Sequence, residues 1–525
     1  MNLRDSLLDA LKSLPGTREF HVHTLVSAPS KTQGLFPYAS PRPRVWQQQI
    51  LVLASEQPSV AQPRVFVTAV EAYFYAIPST RSGILYISKV DSTGQGHKPS
   101  STSTIVKEFI RFYVDPDTRP NLWGASGTAE HVWVHVFARA QGQYLFPNSA
   151  DFEGKKPLSD VKLCGWWRSV LTSVAEQLSK RTARKEGERI KLWHVLPGLS
   201  ELEAFQAFRS ASTGLSSDPS SITWIYGHPS TQKLGDVDSF LLPCPVDGKG
   251  GVSDGGYNLG RFIPSFEDDP KARFMDEIAH TTNTDVIKSP VRKRAKKAAD
   301  ENVQGVGKKE SSWTGELEKV TPEEYWERMS FRQECVAGIV TGFFTMGYVS
   351  FPTRSGVGGL DSPTFASQPG QVSSNITKRV MSSLMTGIEF STVDKAVRGT
   401  ETLEGAIRGM CEGISVGVEV DPPRLHEEHR RETPERTERD DHLVFPPSTP
   451  PRKMRPDSGS ITTEISPNPF PEPTASLETY NSWIYGSICV DNPLPVKAPM
   501  EREGSDRAPD QKITVLTVRK KRKKE

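Results

Sequence analysis

Apolar residues recur at helical spacing at the start of the chain: Leu7, Leu8, Leu11 and Leu14. The run stops at Pro15-Gly16, which predicts a short opening helix. From 19 to 27 the period shortens to alternation, carried by Phe20, Val22 and Leu25, and predicts a strand. Residues 65–75 and 84–90 are β-branched and aromatic runs of the same kind. A helix is predicted over 105–113, with residues 101–104 offering caps. Residues 131–139 form a strong strand pattern in which Val132, Val134 and Val136 alternate with larger partners. A helix follows from about Ser159, with Leu163, Trp166, Trp167, Val170, Leu171, Val174 and Leu178 on one face. Further helices are predicted over 201–208 and 272–279. Thr321 and Glu324 form a capping box, opening a helix that carries Trp326, Met329, Phe331, Cys335 and Ile339. Helices over 376–388 and 403–414 close the folded part.

Composition then divides the chain. Of 525 residues, 41 are Pro and 40 Gly, and only 36% are hydrophobic, which predicts one core plus unfolded segments. Net charge is +2, so no global field draws the protein to nucleic acid, and direct DNA binding is not expected. The basic residues are bunched instead, at 288–309 and again over 519–524, as mobile loops or nuclear import signals are. Beyond 421 the chain is Pro-rich and charged and is expected to be disordered to about 510. Within it, 481–486 echoes 223–227 (each contains Trp-Ile-Tyr-Gly), for which the sequence offers no physical account. Residues 513–518 alternate like a strand, suited to adding onto a partner's sheet edge. Five scattered cysteines with no CxxC pairing read as reduced thiols, and neither they nor His131 and His135 have metal-ligand spacing. The start of the chain carries charge inside its apolar pattern and reads as no signal peptide. The longest apolar run, 336–349, is too short to span a bilayer. No membrane association and no metal are expected.

Two places hold candidate chemistry. The string 266–274 sets Asp268 and Asp269 before Pro270, followed by Lys271 and Arg273. Two close acids cannot both ionise cheaply, so one is a candidate proton acceptor near neutral pH; the alternative is a helix start complementing the dipole. Asp91 stands at the end of a buried strand, followed by Ser92, Thr93 and Gly94, as a site residue or as the opening of a turn. The indoles of Trp166 and Trp167 lie about 100° apart on a helix, so one faces the core and the other must find a second environment.

These strings, with those around them, resemble one family. Residues 88–94 are similar to its SKADTNG stretch, 143–147 to its QYLFP, Trp166-Trp167 to its paired tryptophans, and 268–274 to DDPKARF. Arg332-Gln333-Glu334 and the final basic tail match in kind and order. The family is that of the fungal chaperone-dependent histone H3 lysine acetyltransferases (regulator-of-Ty-transposition type), relatives of the CREB-binding-protein-type enzymes. The resemblance implies an α/β fold: a single acetyltransferase domain over 1–420, with a central mixed β-sheet surrounded by helices and a mobile basic loop at 281–315. Residues 421–510 would be a disordered tail, and 511–525 a strand-like segment for partner docking and nuclear import. It implies acetyl transfer from acetyl-CoA to lysines of histone H3 within H3–H4, presented by a histone chaperone, in a nuclear protein linked to chromatin assembly and genome stability. Asp269 would handle the proton, with Asp91 and Asp268 shaping the pocket and Trp167 flanking the lysine stem. Ser92, Phe137, Arg139, Tyr144, Lys155, Lys156 and Trp166 would form the coenzyme side, and Lys271 would be autoacetylated. A non-catalytic histone or chaperone adaptor is the alternative, although an adaptor needs neither the acids nor the paired tryptophans.

Overall fold

The middle of the fold's central sheet is covered on both faces, and its strands there are correspondingly apolar, while the strands at its edges carry polar and exposed residues. The computed structural model describes residues 2–39, 42–59, 61–120, 129–182, 188–211, 222–231, 242–244, 259–281, 317, 320–332, 339–350, 368–412, 473 and 476–494. The strands are β1 (Gly16–Ser27), β2 (Ser30–Thr32), β3 (Val45–Gln57), β4 (Val65–Ile77), β5 (Ser82–Ser92), β6 (His131–Ala138), β7 (Arg189–Val195), β8 (Trp224–Tyr226), β9 (Gly342–Val349), β10 (Gln371–Val372) and β11 (Tyr485–Asn492). Among the described residues they form one sheet in the order β10-β1-β3-β4-β5-β6-β9-β7-β8, with β2 added to β3 and β11 to β1. Pairing is parallel at β1/β10, β5/β6 and β7/β8 and antiparallel elsewhere, so the sheet is mixed.

Side chains alternate across each strand. Ile50 and Val52 of β3 join a core with α1 (Leu3–Leu11), α2 (Thr102–Val114), α3 (Asp160–Thr182) and α4 (Glu201–Ala211). Leu51 and Leu53 face the opposite side, against α7 (Ser374–Thr386) and α8 (Val393–Glu412). On that same side Tyr86 and Trp133 meet α5 (Pro270–Thr281) and α6 (Pro322–Met329). This two-sided burial hides β3 from pattern reading: its central run has no polar face to betray a period of two. β7 and β9 were equally unmarked, because one follows a basic run and the other lies inside the longest apolar run.

Two expectations are corrected. The helix capped by Thr321, whose side chain accepts from the Glu324 N–H, ends at Met329. Phe331 is then 78% exposed and Ile339 lies out on the surface, so neither extends its packed face; Cys335 is outside the described residues. The second correction concerns 421–510. A short helix α9 (Leu477–Thr479) and β11 are ordered, with Tyr480, Ile484 and Val490 buried and eight residues of β11 paired antiparallel with β1. These apolar residues complete a core that is otherwise open at the sheet edge, which outweighs the polar, Pro-rich surroundings. The repeated Trp-Ile-Tyr-Gly string thereby acquires a context: one copy is β8 at one end of the sheet, and the other leads into β11 at the opposite end. Almost all of the 281–315 loop and the whole 511–525 tail lie outside the described residues.

The seam between β1 and the C-terminal segment titrates. His21 Nδ1 lies 2.7 Å from the Tyr485 hydroxyl and His23 Nε2 3.1 Å from that of Tyr480. Glu19 at 3.2 Å favours a charged His21, but burial, reinforced by Arg64, outweighs it and lowers His21 to about 4 and His23 to about 3. Folded values below the ordinary 6.5 mean that the stability linked to these rings is complete above pH 6.5 and is lost as pH falls toward 4. Urea midpoints should decline across that window, and a His21→Gln/His23→Gln variant should flatten the decline. An identical slope in the variant would assign the acid sensitivity elsewhere.

Candidate active site

At its end, where it still pairs with Ala69 of β4 but no longer with β6, β5 delivers Asp91 into the interior, at 5% exposure. Its Oδ2 accepts the backbone N–H groups of Tyr144, Leu145 and Phe146 at 2.7, 2.8 and 3.1 Å. Its Oδ1 accepts the Ser92 N–H and the Lys155 ammonium, both at 2.8 Å. Lys155 also donates to Ser149 Oγ at 2.7 Å. Five donors on one carboxylate leave no lone pair aimed at a substrate. Asp91 is thus a positioning group that fastens 144–146 and Lys155 to the end of β5. Gly94 makes this possible: it sits at φ +78°, and a Cβ there would lie 2.5 Å from the Lys155 backbone.

The walls joined in this way enclose a cleft of about 370 Å³. Asp91, Ser92, Phe137, Arg139, Tyr144, Lys155, Lys156, Trp166 and Trp167 all line it. The paired tryptophans divide as the helical geometry requires: Trp167 is 5% exposed and packs into the core, while Trp166 is half-buried, the two rings meeting edge-on at 4.8 Å. Phe137 stacks on Phe343 at 4.8 Å. Lys155 is corrected in one respect: its ammonium is taken up by Asp91 and Ser149. The cations left for an anionic ligand are Arg139, exposed Lys156 and exposed Lys98. Sequence reasoning missed the segment that supplies Lys98. Residues 94–103 form a wall of the cleft, and Ser100, Ser101, Thr102 and Ser103 bring the N-terminus of α2 to it, where unpaired N–H groups favour anions. Its only sequence signal was the run of Ser and Thr read as helix caps.

Asp268 and Asp269 do not line the cleft, and they occupy opposite environments. Asp269 is 0% exposed. Its Oδ1 accepts the Lys271 N–H at 2.8 Å as the cap of α5, and its Oδ2 meets the Lys271 ammonium at 2.5 Å. Lys271, 2% exposed, lies 4.6 Å from the centre of the Phe343 ring. Burial pushes the Asp269 carboxyl up against the pull of Lys271, and burial with that same ammonium holds His135 and His228 well below the usual imidazole range. Both Asp269 and Lys271 are sealed from the cleft, which corrects the assignment of proton handling to Asp269. Asp268 is the accessible acid, with its side chain 36% exposed. It accepts from Tyr86 Oη at 2.8 Å and from Ser88 Oγ, with Lys89 Nζ at 3.6 Å. Ser88 and Lys89 do line the cleft, so Asp268 stands one hydrogen bond behind its wall. Among the described residues no group of three His, Cys, Asp or Glu is placed to hold a metal.

The Asp91 geometry carries a stability prediction. In Asp91→Asn the amide N–H₂ must face either the three backbone donors or Lys155, so a buried donor meets a donor. Unfolding free energy should fall by about 3 kcal/mol, read from urea denaturation. A midpoint equal to that of the native protein would show that 144–146 is held by other means.

A family model described as a histone acetyltransferase KAT11-type domain matches residues 124–405, more than half of the chain. The histone acetyltransferase rtt109 of Aspergillus flavus is 25% identical over 353 residues, 63% of this chain and 54% of that protein. The Schizosaccharomyces pombe histone acetyltransferase rtt109 is 24% identical over 302 residues, 56% of this chain and 60% of that protein. The chain thus spans only about half to three fifths of the length of these curated relatives. The crystal structure of Rtt109 from Aspergillus fumigatus superposes with a TM-score of 0.54 at 23% identity, covering 78% of this chain and 96% of that one, and shares its fold. The extent of the family match settles the assignment: this chain belongs to the histone acetyltransferase KAT11-type domain family.

Proposed function

We propose that the chain is a histone lysine acetyltransferase that moves the acetyl group of acetyl-CoA to lysine side chains of histone H3, presented within H3–H4 by a histone chaperone in the nucleus. The observation that carries this reading is the cleft itself, which gathers Phe137, Arg139, Tyr144, Lys156, Trp166 and Trp167 from distant parts of the chain around an anchored Asp91. Its residues fit the coenzyme. Arg139, Lys156, Lys98 and the start of α2 suit phosphates, and Phe137, Leu163 and the tryptophans offer apolar surface to an uncharged arm. The KAT11-type membership supports the activity. Chaperone presentation, a role in genome stability and docking through the 511–525 tail belong to the same proposal; autoacetylation of Lys271 does not, because its ammonium is buried and paired with Asp269.

Transfer needs a neutral amine. A lysine ammonium has an ordinary pKa near 10.4 and must lose a proton before its nitrogen attacks the thioester carbonyl and the coenzyme thiolate leaves. In this reading Ser88 Oγ, on the cleft wall and hydrogen-bonded to Asp268, carries that proton out to a carboxylate in contact with solvent. Asp269 and Lys271 hold the backbone on which Asp268 is mounted. Trp167 packs against the aliphatic stem of the substrate lysine.

Acetyl transfer to H3–H4, with and without a chaperone and read by mass spectrometry, tests the function. New acetyl groups on H3 are expected, and a protein that binds no acetyl-CoA would be the adaptor instead. For the proton path, Asp268→Asn should lower kcat by about a hundredfold and Ser88→Ala by less. Rates near that of the unaltered enzyme in both variants would sink the relay.

A further inference from the structure

A buried ion pair lies directly behind the cleft wall formed by 94–103. Arg18, on β1, and Glu56, near the end of β3, are 4% and 1% exposed. Arg18 Nη1 donates to Glu56 Oε1 at 3.2 Å, to the His97 carbonyl at 3.3 Å and to the Pro99 carbonyl at 3.2 Å. Its Nη2 donates to the Pro15 carbonyl at 3.0 Å. Glu56 Oε1 in turn accepts the His97 backbone N–H at 3.2 Å, with the His97 ring nitrogen at 3.5 Å. The pair therefore holds a donor and an acceptor of His97 and an acceptor of Pro99, none of which belongs to a helix or strand ladder. Gly96 fits tightly against the pair: a Cβ there would lie 3.0 Å from Glu56 Oε2. Glu56, Gly96, His97 and Lys98 all line the cleft.

We infer that Arg18 and Glu56 are positioning residues for the coenzyme half of the site: their ion pair fixes the backbone of 96–99 and thereby sets where Lys98 and the start of α2 meet an anionic ligand. This rests on reading the cleft as the acetyl-CoA site. The energetics favour such a role over a purely stabilising one. A fully desolvated pair is weak evidence for stability, since apolar groups of equal volume replace such pairs at little net cost. What apolar groups cannot supply is a planar guanidinium fork whose Nη1 meets two carbonyls of the wall and a carboxylate while its Nη2 is held on the Pro15 carbonyl. The pair also couples distant parts of the chain. Arg18 lies opposite Val490 of β11, so the strand carrying the fork is itself braced by the C-terminal segment.

The test uses the full chain in two variants. Arg18→Met/Glu56→Leu replaces the pair with apolar volume, and Arg18→Lys keeps the charge but loses the fork. Each should retain cooperative unfolding and bind acetyl-CoA about tenfold more weakly. The loss should appear in KM for acetyl-CoA and not in KM for H3–H4. Amide hydrogen exchange should quicken over 96–99, above all at His97, while the Asp91-held amides of 144–146 keep their protection. Native acetyl-CoA affinity, or native exchange over 96–99, in either folded variant overturns the inference. If the unaltered protein binds no acetyl-CoA, the reading of the cleft fails, and the exchange data still decide whether the pair holds the wall. Should the double variant not fold, Arg18→Lys alone carries both measurements.

Discussion

Everything in the candidate site hangs on one carboxylate. Asp91 receives four backbone N–H groups and one ammonium at hydrogen-bond distance, and these donors come from segments more than fifty residues apart. Hydrogen bonds to a charged acceptor are each worth about 1.5–3 kcal/mol, without simple additivity, which is enough to hold an irregular segment against its conformational entropy. Because the anchor is at the end of a strand inside a sheet buried on both faces, its position is fixed by the core and passed on to Tyr144, Lys155 and the mouth of the cleft. The charge is consumed by this task.

The second buried carboxylate obeys the same logic. Asp269 caps α5 and neutralises Lys271 in a shell of Phe266, Phe343 and Tyr325. Removing one member of such a pair strands the other in a medium that cannot solvate it. The pair orients the turn from which Asp268 projects, and Asp268 alone of the two acids reaches solvent. Adjacent residues in sequence thus meet opposite environments: one is spent on the scaffold and the other stays accessible, one hydrogen bond behind the cleft wall.

The C-terminal segment shows how a sheet edge recruits what composition assigns to disorder. β11 covers β1 and places Tyr480 and Tyr485 against His21 and His23. The same β1 carries Arg18, whose guanidinium reaches the wall of the cleft. A strand formed late in the chain thereby braces the 94–103 wall of a cleft built mostly from residues 56–167.

Local pattern alone determined the helices α1, α2, α3, α5 and α7 and the strands β1, β4, β5 and β6 to within a few residues, because period and caps are properties of neighbouring residues. Helix α8 begins at Val393, well before the predicted 403, and most of the residues that converge on the cleft were implied by the resemblance of short strings to a family. Local pattern did not determine β3 or β9, since a strand buried on both faces has no polar side to mark its period, nor β7, which follows directly on a basic run, nor β11, whose few apolar residues gain their weight only from an open edge elsewhere. Nor did it determine which acid does what. Asp91, Asp268 and Asp269 are the same residue type, and their tasks diverge only through what surrounds them: five donors for the first, a hydroxyl pair and solvent for the second, a sealed lysine for the third. Burial and hydrogen-bond geometry are long-range consequences of packing, so only the tertiary structure assigns them.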